Sequence, residues 1–218
     1  MTSSPLLLAF DTSGPHCSAA LIRGSDLLAQ KTEEMSKGQA ERLFPLLEEL
    51  MTEHRVTWEN LEGIGVGIGP GNFTGIRLSV SAARGLAVSL GRPAIGVSMF
   101  EALTFGYDAP VLCSLDARRD RVYAQLLNDT PMTPVHCHFD DVPLPSPKAE
   151  AAVIGHRAQE LADRTGGVVL QPAYPLAEAI ARKAVSRLDK AQGPAPAPLY
   201  IKPADAAPSR VAPPPLLS

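Results

Sequence analysis

The segment PVLCSLDARRDRVYAQLLN, residues 110–128, is an apolar run ending in an acid, a turn dense in charge, and a second apolar run. That is the pattern of a strand, a tight connection and a returning strand. The same pattern opens the chain: LLLAFDTS (6–13) ends its apolar run at Asp11 and CSAALIR (17–23) returns, so Asp116 stands where Asp11 stood. A third strand is expected after each pair, LLAQKTEEM (27–35) beyond the turn Arg23-Gly24-Ser25-Asp26, and PVHCHF (134–139) in the second half. Two meanders, each followed by helix and strand units, predict an internally duplicated α/β fold with a cleft between its halves.

The units between the meanders follow from periodicity and caps. Ser36-Lys37-Gly38-Gln39 matches the capping box S-x-x-Q, in which hydroxyl and amide satisfy the free N–H groups of a helix start. Ala40, Leu43, Phe44, Leu47, Leu50 and Met51 then recur at helical spacing, with Pro45 expected to kink that helix or begin its straight part. LEGIGVGI (61–68) reads as a glycine-interrupted strand, and a helix is expected from about Thr74 to Leu90, stopped by Gly91 and Pro93. PAIGV (93–97) predicts a strand and SMFEALTF (98–105) a short helix. Beyond a loop carrying Pro143, Pro145 and Pro147 come a strand at AAVIG (151–155), a helix around Arg157 to Arg164, a strand at VVL (168–170) and the amphipathic helix PLAEAIARKAVSRLD (175–189). Eight prolines between 193 and 215 preclude regular structure, so this tail is expected to be extended or disordered, anchored at Leu199-Tyr200-Ile201. The organisation read from these units is an N-terminal subdomain at 1–106, a C-terminal subdomain at 107–192 and the tail at 193–218.

Composition narrows the function classes. A chain of 218 residues with 45% hydrophobic and 20% charged residues reads as an ordinary soluble globular protein. No apolar run reaches a membrane-spanning length, and Leu6 to Phe10 is too short for a signal peptide, so a cytosolic home without membrane attachment is expected. Cys17, Cys113 and Cys137 have neither zinc nor disulfide spacing and read as small buried apolar residues. A net charge of −3 supplies no broad positive field, so a nucleic acid would be reached only with help from another protein.

GIGPGNFTGIR (67–77) is the densest motif. It lacks the lysine of a phosphate-binding P-loop, and Asn72 or Pro70 stands where the third glycine of a dinucleotide fingerprint belongs. Two readings stay open: a structural corner, with the Thr74 hydroxyl capping the helix, or an anion or nucleotide contact at the helix start. The second reading draws in Asp11, Thr12, Ser13, Gly69, Gly71 and Thr74. On the helix that follows, Gly75, Ser79 and Ala82 line one face and Ile76, Val80 and Ala83 the next. Small residues at this spacing admit another backbone, from the same domain or from another chain.

Reactive groups are sparse. His136 and His138 alternate on one strand beside Asp140 without an identifiable third ligand. His16, His54 and His156 are isolated, and Ser13 and Ser79 have no partner for nucleophilic catalysis. No catalytic residue and no metal ligand is therefore assigned.

The strand order resembles the actin, Hsp70 and sugar-kinase superfamily, a ribonuclease H-like architecture. More narrowly, GIGPGNFTGIR followed by RGLA, with LAFDTS, VSMFEAL, DARRDRVY and PLYIK, resembles the bacterial TsaB (YeaZ) family from about Leu6 to Lys202. Asn72 departs from the serine more usual in that motif. The resemblance implies the superfamily fold and a part in making threonylcarbamoyladenosine beside the tRNA anticodon. It implies a required, non-catalytic partner of the TsaD transferase paralogue, joined through the first two long helices, with self-association through the same surface when the paralogue is absent. A TsaE-like ATPase would engage the pair, tRNA would be met only through the complex, and ATP or ADP would be held at the shared interface rather than by this chain alone. The metal-binding H-x-x-x-H pair of the paralogue corresponds to Ser98 and Ala102 here.

The two-helix surface so implied comprises Leu43, Phe44, Leu47 and Leu50 on the first helix and Gly75, Ile76, Ser79, Val80, Ala82 and Ala83 on the second. Some of these must face the domain's own sheet. With Ser79 read as an exposed small position, Ser79→Glu is expected to block docking while leaving the monomer folded. The rival readings are a metal-dependent peptidase or ATP-binding enzyme of the actin-like fold, and a direct tRNA binder.

Overall fold

The computed structural model describes residues 4–108, 110–127, 131–145, 151–190 and 194–201. Tail residues 202–218, including Lys202 of the PLYIK segment, lie outside them.

Both meanders form, and each starts a sheet. In the first, β1 (Leu6–Asp11), β2 (His16–Arg23) and β3 (Asp26–Glu34) run antiparallel, and β4 (Gly63–Gly67) and β5 (Ala94–Val97) add in parallel beyond β1, giving the order β3-β2-β1-β4-β5. In the second, β6 (Val111–Asp116), β7 (Arg121–Leu127) and β8 (Val135–His138) repeat the meander, and β9 (Ala152–Gly155) pairs in parallel with β6, giving β8-β7-β6-β9. The strand expected at VVL is reduced to one parallel bridge, Val169 to Val153, in the place that β5 holds in the first sheet.

β1 is buried along its whole length, which requires apolar residues on both faces. Leu6, Leu8 and Phe10 face the core shared with helices α1 (Gln39–Glu53) and α2 (Phe73–Leu90). Leu7 and Ala9 face the other way, onto Ala177, Ile180, Ala181 and Ala184 of α5 (Leu176–Val185). This corrects the expected division at 107–192: α5 belongs by packing with the first sheet, because one face of that sheet is otherwise uncovered. The second sheet is covered by α4 (Ala158–Thr165) on one face and meets α3 (Met99–Leu103) on the other.

Helix starts differ from the sequence reading. The S-x-x-Q box does not form: the cap of α1 is Gly38 in the left-handed region, without a side-chain cap bond, and Gln39 donates instead to the Met35 carbonyl. The α1 segment continues through Pro45. Its outer side is tied to β3 by Arg42, which reaches Glu33 and Glu49, and by Lys31 on Glu49. Hydrogen bonds from Arg42 first and Lys31 second hold the Glu49 carboxyl down at about 2. Cys17 and Cys113 are buried and Cys137 half-buried. Burial pushes the first two thiols up to about 11 and about 12, so they act as small apolar residues. No helix among the described residues is long and apolar enough to cross a membrane.

Candidate functional site

The opening between the halves is built by the two strand-acid-turn units and by the start of α2. A cleft of about 600 Å³ is lined by Ser13, Gly14 and Pro15 after β1, by Pro70 to Phe73, by Met99, and by Leu115 to Arg118 and Tyr123 of the second meander.

The GIGPGNFTGIR corner is held by close backbone packing. A Cβ on Gly75 would stand 1.9 Å from the Thr12 carbonyl oxygen, and one on Gly71 2.6 Å from that of Ser13. The Thr12 hydroxyl donates to the Gly75 carbonyl at 2.7 Å, and the Asn72 amide to the Ser13 carbonyl at 2.7 Å. α2 therefore begins wedged against the β1–β2 turn. Its cap is Asn72, whose Oδ1 accepts from the Thr74 and Gly75 amides at 3.0 and 3.1 Å, so the helix starts one residue before the expected Thr74 and the Thr74 hydroxyl is not the cap. Two amides that a bound anion would need are thus already satisfied from within.

Asp11 is fully buried. Its Oδ1 accepts from the Ser13 amide (2.9 Å) and hydroxyl (2.8 Å), and His16 Nε2 lies at 2.9 Å. The hydrogen bond to Asp11 raises the His16 pKa above 6.5 against the opposing effect of burial, with the charges of Asp11 and Glu34 adding to it. Asp11 Oδ2 has no partner and faces Gly67, where a Cβ would approach to 1.9 Å. Asp116, its counterpart, is exposed, lines the cleft and accepts from the Arg118 amide at 2.7 Å. The two acids are therefore unlike: one is locked beneath Ser13, the other closes a turn.

Of the six residues expected at an anion contact, the structure brings Ser13 and Gly71 to the cleft. Asp11 is buried, Gly69 backs onto Ile76, and Thr74, with buried Thr12 at its floor, lines a neighbouring groove of about 550 Å³ between the start of α1 and α2. Ser98 caps α3 in a capping box with Glu101, and Ala102 is buried. Among the described residues no three histidine, cysteine, aspartate or glutamate side chains group to hold a metal ion. His138 lies 3.5 Å from Asp120, and the His136 ring packs tilted against Tyr123 with centroids 5.0 Å apart.

The expected docking surface needs correction. Leu43, Leu47, Leu50, Gly75, Ile76, Ser79, Val80 and Ala83 are buried against the chain's own first sheet. Helical period placed them on the apolar face of α1 and on two adjoining faces of α2, and those faces cover the sheet. Phe44, 41% exposed, is the expected residue left on the outer side, and Ala82 is half-buried at the edge of the same core. The outer surface also carries Phe73 (43% exposed), Arg77 and Val88 (85% exposed). These were missed because they share a narrow stripe of α2 with the polar residues Ser81 and Arg84; an aromatic and a valine out of phase with the core face were the available signal.

Such paired sheets, with a cleft at their strand ends, define an α/β protein of the actin-like ATPase fold. Component A of the (R)-2-hydroxyglutaryl-CoA dehydratase of Acidaminococcus fermentans shares that fold at 8% identity, with a TM-score of 0.52 over 87% of this chain and all of the other. The model of the tRNA N6-adenosine threonylcarbamoyltransferase family, TsaD, matches residues 28–169. Bacillus subtilis tRNA threonylcarbamoyladenosine biosynthesis protein TsaB is 33% identical over 123 residues, 55% of this chain and 54% of that protein. YeaZ of Pseudomonas aeruginosa superposes with a TM-score of 0.74 at 28% identity, over 90% of this chain and 99% of the other. The chain belongs to this threonylcarbamoyltransferase-related family, in its TsaB (YeaZ) branch. It spans about half the length of the curated relatives it matches.

Proposed function

We propose that this chain is a non-catalytic partner subunit in the formation of threonylcarbamoyladenosine on tRNA, docking a TsaD-type transferase paralogue through the outer sides of α1 and α2. The observation that carries the reading is the exposure of Phe44, Phe73 and Val88 there. Aromatic and aliphatic side chains exposed on adjoining helices suit a protein interface. Ser98 and Ala102, at the positions that correspond to the paralogue's histidine pair, offer a capped hydroxyl and a methyl group, neither of which suits a metal. Self-association in the paralogue's absence, engagement of a TsaE-like ATPase, nucleotide at the shared interface and a cytosolic setting complete the proposal.

The test is reconstitution of tRNA threonylcarbamoylation with the paralogue and ATPase from the same cell, with and without this chain. Modification is expected only when it is present. Modification by this chain with the paralogue left out would end the proposal. A second reading, peptidase chemistry, has one observation in its favour: a solved Pseudomonas aeruginosa neighbour, superposing with a TM-score of 0.76, is described as similar to peptidase YEAZ. Peptide turnover by the isolated chain would favour it.

A further inference from the structure

The segment after α5 crosses between the halves of the molecule. Pro196 is buried against Gly96 of β5. The Leu199 amide donates to the Ile68 carbonyl at 2.8 Å, in the corner that leads from β4 into α2, and the Ile68 amide itself donates to Val97 of β5. Consecutive side chains then point opposite ways, as extended chain requires. Leu199 and Ile201 pack into the apolar cluster of Val111 and Cys113 on β6, Ile154 on β9 and Phe100 on α3. Tyr200 turns the other way: its ring centroid lies 5.1 Å from that of Phe73, and its hydroxyl accepts from Arg77 Nε at 2.8 Å. The Arg77 guanidinium in turn lies 3.7 Å from the Phe73 ring centroid.

We propose that residues 196–201 are a clasp that couples the seating of the second sheet to the first turn of α2. Leu199 and Ile201 sense whether the second half is in place, the Leu199–Ile68 bond fixes the corner, and Tyr200 holds Phe73 and Arg77 in one arrangement. This coupling is a property of the single chain and stands whether or not the outer side of α2 docks a partner.

Hydrogen exchange on the full chain, followed by mass spectrometry, tests it. Ile201 packs into the cluster that the second sheet forms with Phe100 of α3, so Ile201→Asp loosens the far end of the clasp, and Tyr200→Ala, which leaves that cluster intact, separates the clasp from the bond between the Met99 amide and the Gly69 carbonyl. The expected result for Ile201→Asp is ~10-fold faster exchange over residues 72–78, with β2 and β3 unchanged, because only the local opening becomes easier. Tyr200→Ala should accelerate the same residues while leaving α3 and β6 at wild-type rates. If Ile201→Asp also speeds β2 and β3, the milder Ile201→Ala is read in its place. Wild-type exchange over 72–78 in the readable Ile201 variant, or in Tyr200→Ala, overturns the coupling.

Discussion

His16 and Asp11 show how one buried contact can carry a pH dependence. The folded-state pKa of His16 is raised above 6.5 by its hydrogen bond to Asp11. A raised imidazole stabilises the fold in its protonated form, so the contribution is fully present below about 6.5 and is lost as pH rises through the higher folded value. An NMR titration should therefore place the His16 midpoint above 6.5, and the stability difference between the wild type and His16→Ala should shrink on going to alkaline pH. A midpoint at or below 6.5 would show that the contact with Asp11 does not set the imidazole's charge. Gly75 carries a steric requirement of another kind. With the Thr12 oxygen 1.9 Å from the position of its Cβ, Gly75→Ala must push α2 off the β1–β2 turn, and a loss of about 3 kcal/mol is expected in urea denaturation.

At the scale of the element, α2 separates two roles that its sequence overlays. Its cap is Asn72, with two amides on one side-chain oxygen. Asn72→Ala should cost about 1 kcal/mol of stability, and Asn72→Ser should recover most of it, since serine caps as well. Ser79 is fully buried, with its hydroxyl 3.2–3.3 Å from the carbonyls of Gly67, Gly75 and Ile76. The charge in Ser79→Glu would be buried without a partner, so that variant should fail to fold rather than report on docking. Phe44→Asp on the exposed side of α1 is the informative change. It should weaken binding to the transferase paralogue ~10-fold or more while leaving the melting temperature within a few degrees of wild type. Unchanged affinity in Phe44→Asp, measured by titration calorimetry, would move the interface elsewhere.

For the whole molecule, the decisive contact is α5 returning to the first sheet. Leu7, Ala9, Ala20 and Ile22 lie beneath Ile180 and the alanines around it. Residues 1–106 alone would present that face to water, so this fragment should aggregate, whereas the full chain should melt in a single transition. Ile180→Ala should lower the stability of the full chain by about 3 kcal/mol without splitting that transition. Two separated transitions would mean that the halves fold independently and that α5 is a minor contact.

The chain by itself determined what depends on neighbours in sequence. The strand-acid-turn-strand unit at 110–128, its twin at 6–23, the two long helices and the failure of GIGPGNFTGIR to fit either nucleotide fingerprint are all local patterns of periodicity and residue type. Tertiary structure decided what depends on phase and on partners far along the chain. Periodicity says that Leu43, Ile76 and Val80 share a stripe with their neighbours, but only the position of the sheet says that this stripe faces inward and leaves Phe44 and Phe73 outside. Asp11 and Asp116 read alike in sequence, yet His16 and Gly67 enclose the first while the second stays at the surface. Whether an acid is buried depends on which remote backbone comes close to it, and no local pattern encodes that distance.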